Sequence, residues 1–125
     1  MASTKTYNNI NLPYKFYGIV YIIANTKNRK VYLGKTSYSL RESWKTHLDL
    51  ARKVRQLREE NPHRKYYVSA FINALAYFDE DVWKMKVLDV ASNKEELTEL
   101  YTEYIKKYKA TNSEKGYNKN LRRRI

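Results

Sequence analysis

Two tyrosines and a histidine stand close together along the chain, in a pattern that an active site could use. Tyr21 and Tyr32 are eleven residues apart, each in a short apolar run, and the two runs flank a polar turn. A stretch typical of a helix follows directly and contains His47. Both residue types can transfer protons in general acid–base catalysis. Tyrosine is also common in strands, so the pattern fits either an ordinary hairpin and helix or an active site that lacks some of its residues.

The elements around these residues follow from periodicity and turn signals. Residues 15–25 and 30–34 are rich in β-branched and aromatic residues, and the turn-like segment 26–29 separates them. We predict that they pair as an antiparallel hairpin. Ser39 and Glu42 form a capping box that starts a helix running to about Glu60. Its apolar positions recur at helical spacing: Leu40, Trp44, Leu48, Ala51, Val54 and Leu57.

The second half of the chain predicts a second helix, a strand and a third helix. Residues 66–78 are nearly all apolar or small, which favours a helix packed on the sheet, with a buried strand as the alternative. Residues 81–90 alternate in polarity, which is typical of a strand with one wet face. Ser92 and Glu95 form a second capping box, for a helix that continues to residue 109. A loop then leads to the GYN segment at 116–118.

The order β-β-α-α-β-α predicts an α+β fold with a small, mainly antiparallel three-stranded sheet flanked by helices. We assign residues 14–119 to this domain. Residues 1–13 are polar and rich in asparagine, and we expect a flexible arm there. Residues 120–125 form a basic tail.

The composition is strongly basic, with 25 Lys and Arg against 13 Asp and Glu and a net charge of +12. A small domain with this charge most often binds a polyanion, usually nucleic acid. The chain has no cysteine and two histidines, which excludes a cysteinyl zinc site and a histidine-rich metal site. It has neither an apolar run long enough to cross a membrane nor a secretory signal. We therefore expect a cytoplasmic protein with no membrane partner.

Five short segments together resemble the GIY-YIG nuclease family. They are GIVY at 18–21, VYLG at 31–34, SLRESWKTHL at 39–48, EELTELYTEYIKKY at 95–108 and KGYN at 115–118. Each segment alone is weak evidence, but their order and spacing are specific. The resemblance covers residues 17–118, and the predicted element order is consistent with the compact fold of that family. It also suggests a phage or a mobile element in a bacterial host as the source.

The resemblance implies hydrolysis of DNA phosphodiesters with one divalent metal ion. In the family, the two tyrosines and the histidine position and deprotonate a water molecule, an arginine meets the phosphate, and a glutamate on the third helix binds the metal. An asparagine near the end of the domain completes the site. The positions that match here are Tyr21, Tyr32, Gly34, His47 and Asn118.

Two charged positions of the family do not match. Ser43 stands where the arginine is expected, and Tyr101 stands at the metal-binding glutamate position. Serine brings no charge to a phosphate, and tyrosine, with a pKa of about 10, is a poor ligand for Mg²⁺. Of the neighbours, Lys35 and Lys45 are the nearest plausible phosphate contacts. We therefore expect no intact metal site and no cofactor, or Mg²⁺ or Mn²⁺ if the protein is active.

These observations leave two main hypotheses. In the first, the protein binds duplex DNA with a nuclease scaffold that is catalytically impaired. In the second, it is an active metal-dependent endonuclease with displaced charges. A regulator that binds a protein partner, and a nuclease inactivated by design at Ser43 and Tyr101, are further alternatives. For either DNA-binding hypothesis, the predicted DNA contacts are Lys35, Lys45, Arg52, Lys53 and Arg55.

Overall fold

The computed structural model describes residues 16–119. The predicted arm at 1–13 and the basic tail at 120–125 lie outside this range. Three strands form one antiparallel sheet: β1 (Gly18–Asn25), β2 (Val31–Thr36) and β3 (Trp83–Ala91). The sheet order is β2-β1-β3. The predicted hairpin is present, and its second strand extends two residues beyond the predicted end at Gly34.

Three helices flank the sheet: α1 (Leu40–Glu60), α2 (Ala70–Tyr77) and α3 (Lys94–Tyr108). A single turn of 3₁₀ helix at Glu80–Val82 leads into β3. The element order is therefore the predicted β-β-α-α-β-α. Within residues 16–119, none of the helices has the length and apolar character needed to cross a membrane.

The helix α1 begins as its sequence predicts, because the Ser39 side chain accepts a hydrogen bond from the Glu42 backbone N–H. Two other helix starts were predicted wrongly. α2 begins at Ala70 rather than at residue 66, since Ser69 is its N-cap and accepts from Ile72 N–H. A helix that continued through Ser69 would forfeit this cap.

The cap of α3 lies one residue later than predicted. Asn93, not Ser92, is the N-cap, and its side chain accepts from Glu96 N–H. The Glu96 carboxylate in turn accepts from the Ser92 backbone N–H and hydroxyl. The capping pair is thus Asn93 with Glu96, a register that buries Leu97 against the sheet.

The apolar core lies on both faces of the sheet. Alternate residues of β1 point to opposite sides: Ile19, Tyr21 and Ile23 pack in the cluster that includes residues of α1 and α2, and Val20 and Ile22 pack with residues of α3. β1 is consequently buried on both faces. A bulge in the β1–β3 pairing shifts the register between Val20 and Tyr21.

The segment after α3 covers the outer edge of β2. Val31 and Gly116 form an isolated parallel bridge, in which Val31 N–H donates to the Lys115 carbonyl and Tyr117 N–H donates to the Val31 carbonyl. The sequence predicted only a loop here. This attachment brings Asn118 to the same strand edge as Tyr32.

Candidate functional site

The two signature tyrosines lie on the face of the sheet that α1 covers. Tyr21 pairs with Gly34 across the β1–β2 hairpin, and Tyr32 sits on the diagonal, with the two ring centroids 6.4 Å apart. The Tyr21 ring packs directly over Gly34, where an added Cβ would overlap the phenol ring. The glycine of the VYLG segment therefore has a steric role: it makes room for the first tyrosine.

The helix α1 brings His47 and Ser43 to the same place. His47 Nε2 lies 3.0 Å from the Tyr21 hydroxyl oxygen, and the His47 ring meets Tyr32 edge-on at 5.4 Å. Ser43 borders the same cavity as Tyr21 and His47, and its side chain lowers the pKa of the Tyr21 hydroxyl, against the larger effect of burial. This agrees with the four-residue spacing, which puts Ser43 and His47 on one helix face.

Asn118 and Tyr101 complete the cluster from the other side of β2. The Asn118 amide accepts from Leu33 N–H at 2.9 Å and donates to the Leu33 carbonyl at 2.8 Å, so it replaces a neighbouring strand's peptide group. The same amide nitrogen donates to the Tyr101 hydroxyl at 3.3 Å. Asn118 thus fixes both the edge of β2 and the orientation of Tyr101.

The site carries no permanent charge at its centre at neutral pH. Burial raises the pKa of Tyr32 to about 12, with a smaller contribution from nearby Tyr101. Burial likewise raises the pKa of Tyr21 and of Tyr101, and it lowers the pKa of His47. All four groups are therefore neutral at pH 7, able to hydrogen-bond and to position a ligand but not to neutralise a phosphate.

The sequence-predicted site residues are assembled in one place. Tyr21, Tyr32, Gly34, Ser43, His47, Tyr101 and Asn118 are all within this cluster or in direct contact with it. Phe71 was not predicted, although its ring stacks on Tyr32 at 4.0 Å with an interplanar angle of 2°. Its signal in the sequence is only membership of an apolar run.

The predicted DNA contacts are more dispersed. Lys35 lies at the site, with its Nζ 5.4 Å from the centroid of the Tyr101 ring. On α1, Lys45 pairs with Asp49 at 2.8 Å, and Arg52 makes a two-point contact with Glu80. Lys53 is exposed on the same helix.

Arg55, the fifth predicted DNA contact, has a contact within the domain instead. Its guanidinium donates to the carbonyls of Ala76 and Leu75 near the end of α2. These carbonyls have no partner within their own helix, so Arg55 acts as a C-terminal cap for α2. Its donors are less available to a phosphate than those of the exposed lysines.

Comparison with known proteins identifies the family. A model of the GIY-YIG catalytic domain matches residues 17–118. The chain belongs to the GIY-YIG family. No curated protein matches the chain. The GIY-YIG match covers all of the segments that form the tyrosine cluster.

Two solved structures share this fold. One is the catalytic domain of the homing endonuclease I-TevI, with 23% identity over 82% of this chain and 98% of that domain, and a TM-score of 0.54. The other is a glutamate-to-alanine mutant of the I-TevI catalytic domain, with 22% identity over 85% of this chain and 96% of that one, and a TM-score of 0.56. At this level of identity the likeness establishes the GIY-YIG fold alone.

The residues at the GIY-YIG site do not fit a divalent metal ion. Tyr101 occupies the position at which the resemblance implies a carboxylate, and its hydroxyl, with a raised pKa, is held by Asn118. Within residues 16–119, no group of three or more His, Asp or Glu side chains is placed to hold a metal. Mg²⁺ requires oxygen ligands that are charged or strongly polar, and a protonated phenol is a poor substitute.

Proposed function

We propose that this GIY-YIG domain binds DNA and does not cleave it efficiently. The observation that supports this most directly is the combination of an assembled scaffold with missing charges. The Tyr21–His47 contact at 3.0 Å is of hydrogen-bonding length, whereas Ser43 and Tyr101 occupy the positions of the phosphate-facing arginine and the metal-binding glutamate. Neither residue is charged at neutral pH.

The cost of the two replacements is large on general grounds. Removing a single group that stabilises transition-state charge lowers turnover by about 10²–10³-fold. In a nuclease site that had lost both a cation and a metal ligand, the reductions would compound unless neighbours compensated. Glu42, exposed in the first turn of α1, borders a cavity with Ser43 and His47, but a single carboxylate there does not replace the missing cation. This argues for a role in binding rather than in catalysis.

The surface charge supports DNA as the partner. The chain carries +12, and Lys35 and Lys45 are exposed on the elements that bear the tyrosines and His47. The ion pair between Lys45 and Asp49 is exposed, and such pairs contribute less than about 1 kcal/mol. A phosphate can therefore replace Asp49 at little cost, and each lysine that does so releases counterions from the DNA.

The test is fluorescence anisotropy with a labelled duplex at increasing salt, with Mg²⁺ and with EDTA. We expect tight binding at low salt, a steep salt dependence, and the same affinity with and without the metal. Lys35→Gln and Lys45→Gln should each reduce the slope of log affinity against log salt by about 1. Lys84→Gln is the matched control, because Lys84 is exposed on β3, the strand at the opposite edge of the sheet from β2.

Two results would contradict the proposal. The first is an absence of DNA binding at low salt, which would favour a protein partner. The second is binding that depends on Mg²⁺, which would mean that the site holds a metal after all. A slope that changes equally in all three lysine variants would argue for diffuse attraction rather than for binding at this face.

A further inference from the structure

A cavity of about 450 Å³ opens beside His47, on the side of the tyrosine cluster that faces α2. Its walls are mostly aromatic and apolar: Tyr32, Leu50, Phe71, Tyr101 and Tyr117. Its lining also includes His47 and Asn118, so the cavity is part of the site described above. Cavities of this size are typical of small-molecule and cofactor sites.

The walls of this cavity are shaped for a flat ligand. Tyr32 and Phe71 are stacked in parallel, and the His47 ring stands edge-on to both, at 5.4 Å and 5.0 Å between centroids. Phe71 is 1% exposed and covers one face of Tyr32, so the rings left to contact a planar group in the cavity are those of Tyr32 and Tyr101, which are both half-buried. Rings of this kind bind planar groups through stacking and edge contacts. Leu50 is 48% exposed at this cavity, a large apolar side chain left open to solvent.

The charge distribution separates the inside of the cavity from its surroundings. Tyr32, Tyr101 and His47 are neutral at pH 7, for the reasons of burial given above. The cations are exposed: Lys119 borders this cavity, and Lys35 borders a second cavity that shares Tyr32 and His47 with it. An anionic phosphate is therefore favoured outside, near the lysines, and an uncharged planar group is favoured inside.

We propose that this cavity accepts a single unpaired nucleobase from a DNA strand whose phosphates contact Lys35 and Lys119. The inference rests on the proposed function, since it names the feature of DNA that the same site would select. Stacking on aromatic side chains is the usual way in which proteins hold unpaired bases. A base that is mismatched or bulged leaves the helix at lower cost than a paired one, so damaged or distorted DNA is the preferred ligand.

Asn118 has a supporting role in this arrangement. Its amide is engaged with the Leu33 backbone and with the Tyr101 hydroxyl. It therefore holds the Tyr101 wall in place and is not available to read the base. This leaves stacking as the main source of affinity, and the cavity should accept different bases with little discrimination.

The experiment compares three labelled duplexes of equal length. The first is fully paired, and the second has a central mismatch. The third has the same sequence as the second, but the nucleotide opposite the mismatched base is abasic. The third probe keeps the base that would enter the cavity and removes only the base opposite it, so we expect it to bind at least as tightly as the mismatched probe. All three probes carry the same phosphate charge. We expect the mismatched probe to bind about tenfold more tightly than the paired one. A fourth probe, abasic on both strands, should lose that advantage.

Variants connect the preference to the cavity. Leu50→Ala should reduce the preference for the mismatch while leaving the affinity for paired duplex within about twofold. Leu50 is half exposed, so its variant should fold. Tyr77→Ala is the matched control, because Tyr77 is 80% exposed at the end of α2 and borders a different cavity.

The outcomes separate the two proposals. Salt-dependent binding that is equal for all probes would overturn the base-binding inference and leave the proposed function standing. Equal gains for the mismatched probe and the doubly abasic probe would also overturn it, because flexibility rather than the base would then be recognised. If no probe binds at low salt, the proposed function itself is wrong.

Discussion

Replacing Asn118 by leucine tests the physical role of the asparagine that closes the site. Asn118→Leu keeps a similar volume but removes the amide that bonds both backbone groups of Leu33 and the Tyr101 hydroxyl. Each of the two bonds to Leu33 contributes about 1 kcal/mol net. The longer bond to Tyr101 adds less. We therefore expect the free energy of unfolding to fall by about 2–3 kcal/mol.

Urea denaturation measures this change. With a slope of about 1.5 kcal/mol per M, the expected loss lowers the midpoint by about 1.3–2 M. Amide hydrogen exchange gives a second, local readout, since the Leu33 N–H loses its acceptor and should exchange faster. Asn112→Leu is the matched control, because the Asn112 side chain accepts a single exposed bond, from Glu114 N–H.

The reasoning would be refuted if Asn118→Leu cost no more than Asn112→Leu. It would also be refuted if Leu33 kept its exchange protection in the Asn118 variant. Either result would mean that water satisfies the edge of β2 as well as the side chain does. Asn118 would then have no structural role, and its place at the site would need another explanation.

Three further predictions concern residues around the site. Arg55→Ala should destabilise the fold by about 1–2 kcal/mol in urea denaturation, because backbone carbonyls of α2 lose their donor. The control Arg52→Ala breaks an exposed ion pair and should cost less than about 1 kcal/mol. Equal costs would refute the capping role. Gly34→Ala should cost about 1–3 kcal/mol by displacing the Tyr21 ring, and an unchanged melting curve would contradict the steric role. The pKa of Tyr32 is raised from 10 to about 12, so its contribution to stability is complete below about pH 10 and is lost as the pH rises towards 12. Tyr32→Phe should flatten that decline in urea midpoints measured from pH 8 to 11, and an identical decline in both proteins would contradict it.

Much of the fold could be predicted because its signals are local. Ser39 and Glu42 specify the start of α1 within four residues, and the hairpin follows from two strand-forming runs around one turn. The start of α3 was less determined. Ser92 with Glu95 and Asn93 with Glu96 both satisfy the capping pattern, and in the structure Asn93 caps the helix while the Glu96 carboxylate accepts from Ser92.

At the site, too, contacts set by residues close in sequence could be predicted, whereas contacts between distant residues could not. His47 was predicted to face Ser43 because helical spacing requires it, and the hairpin brings Tyr21 next to Gly34 in register. The stacking of Phe71 on Tyr32 could not be predicted, since the apolar run around Phe71 offers several equivalent residues. The hydrogen bonds between Asn118 and Leu33 join positions 85 residues apart, and no local pattern indicates such a contact.

The start of α2 shows how one polar residue can override an apolar pattern. Residues 66–69 were predicted as helix because the whole run is apolar or small. Ser69 ends that pattern by capping α2, and Tyr67 is 89% exposed before it. Tyrosine tolerates such exposure better than an aliphatic residue does, because its hydroxyl remains solvated.

The central claim is that the scaffold is intact and that the charges needed for cleavage are missing. A nicking assay on supercoiled plasmid, with Mg²⁺ and with Mn²⁺, tests it most directly. The assay compares the protein with the double variant Ser43→Arg plus Tyr101→Glu, and with the same double variant carrying Tyr21→Phe as the control for contaminating nuclease. The account predicts that the unmodified protein leaves the plasmid intact, that the double variant nicks it, and that Tyr21→Phe abolishes the nicking. Metal-dependent nicking by the unmodified protein that disappears in its own Tyr21→Phe variant would contradict the account.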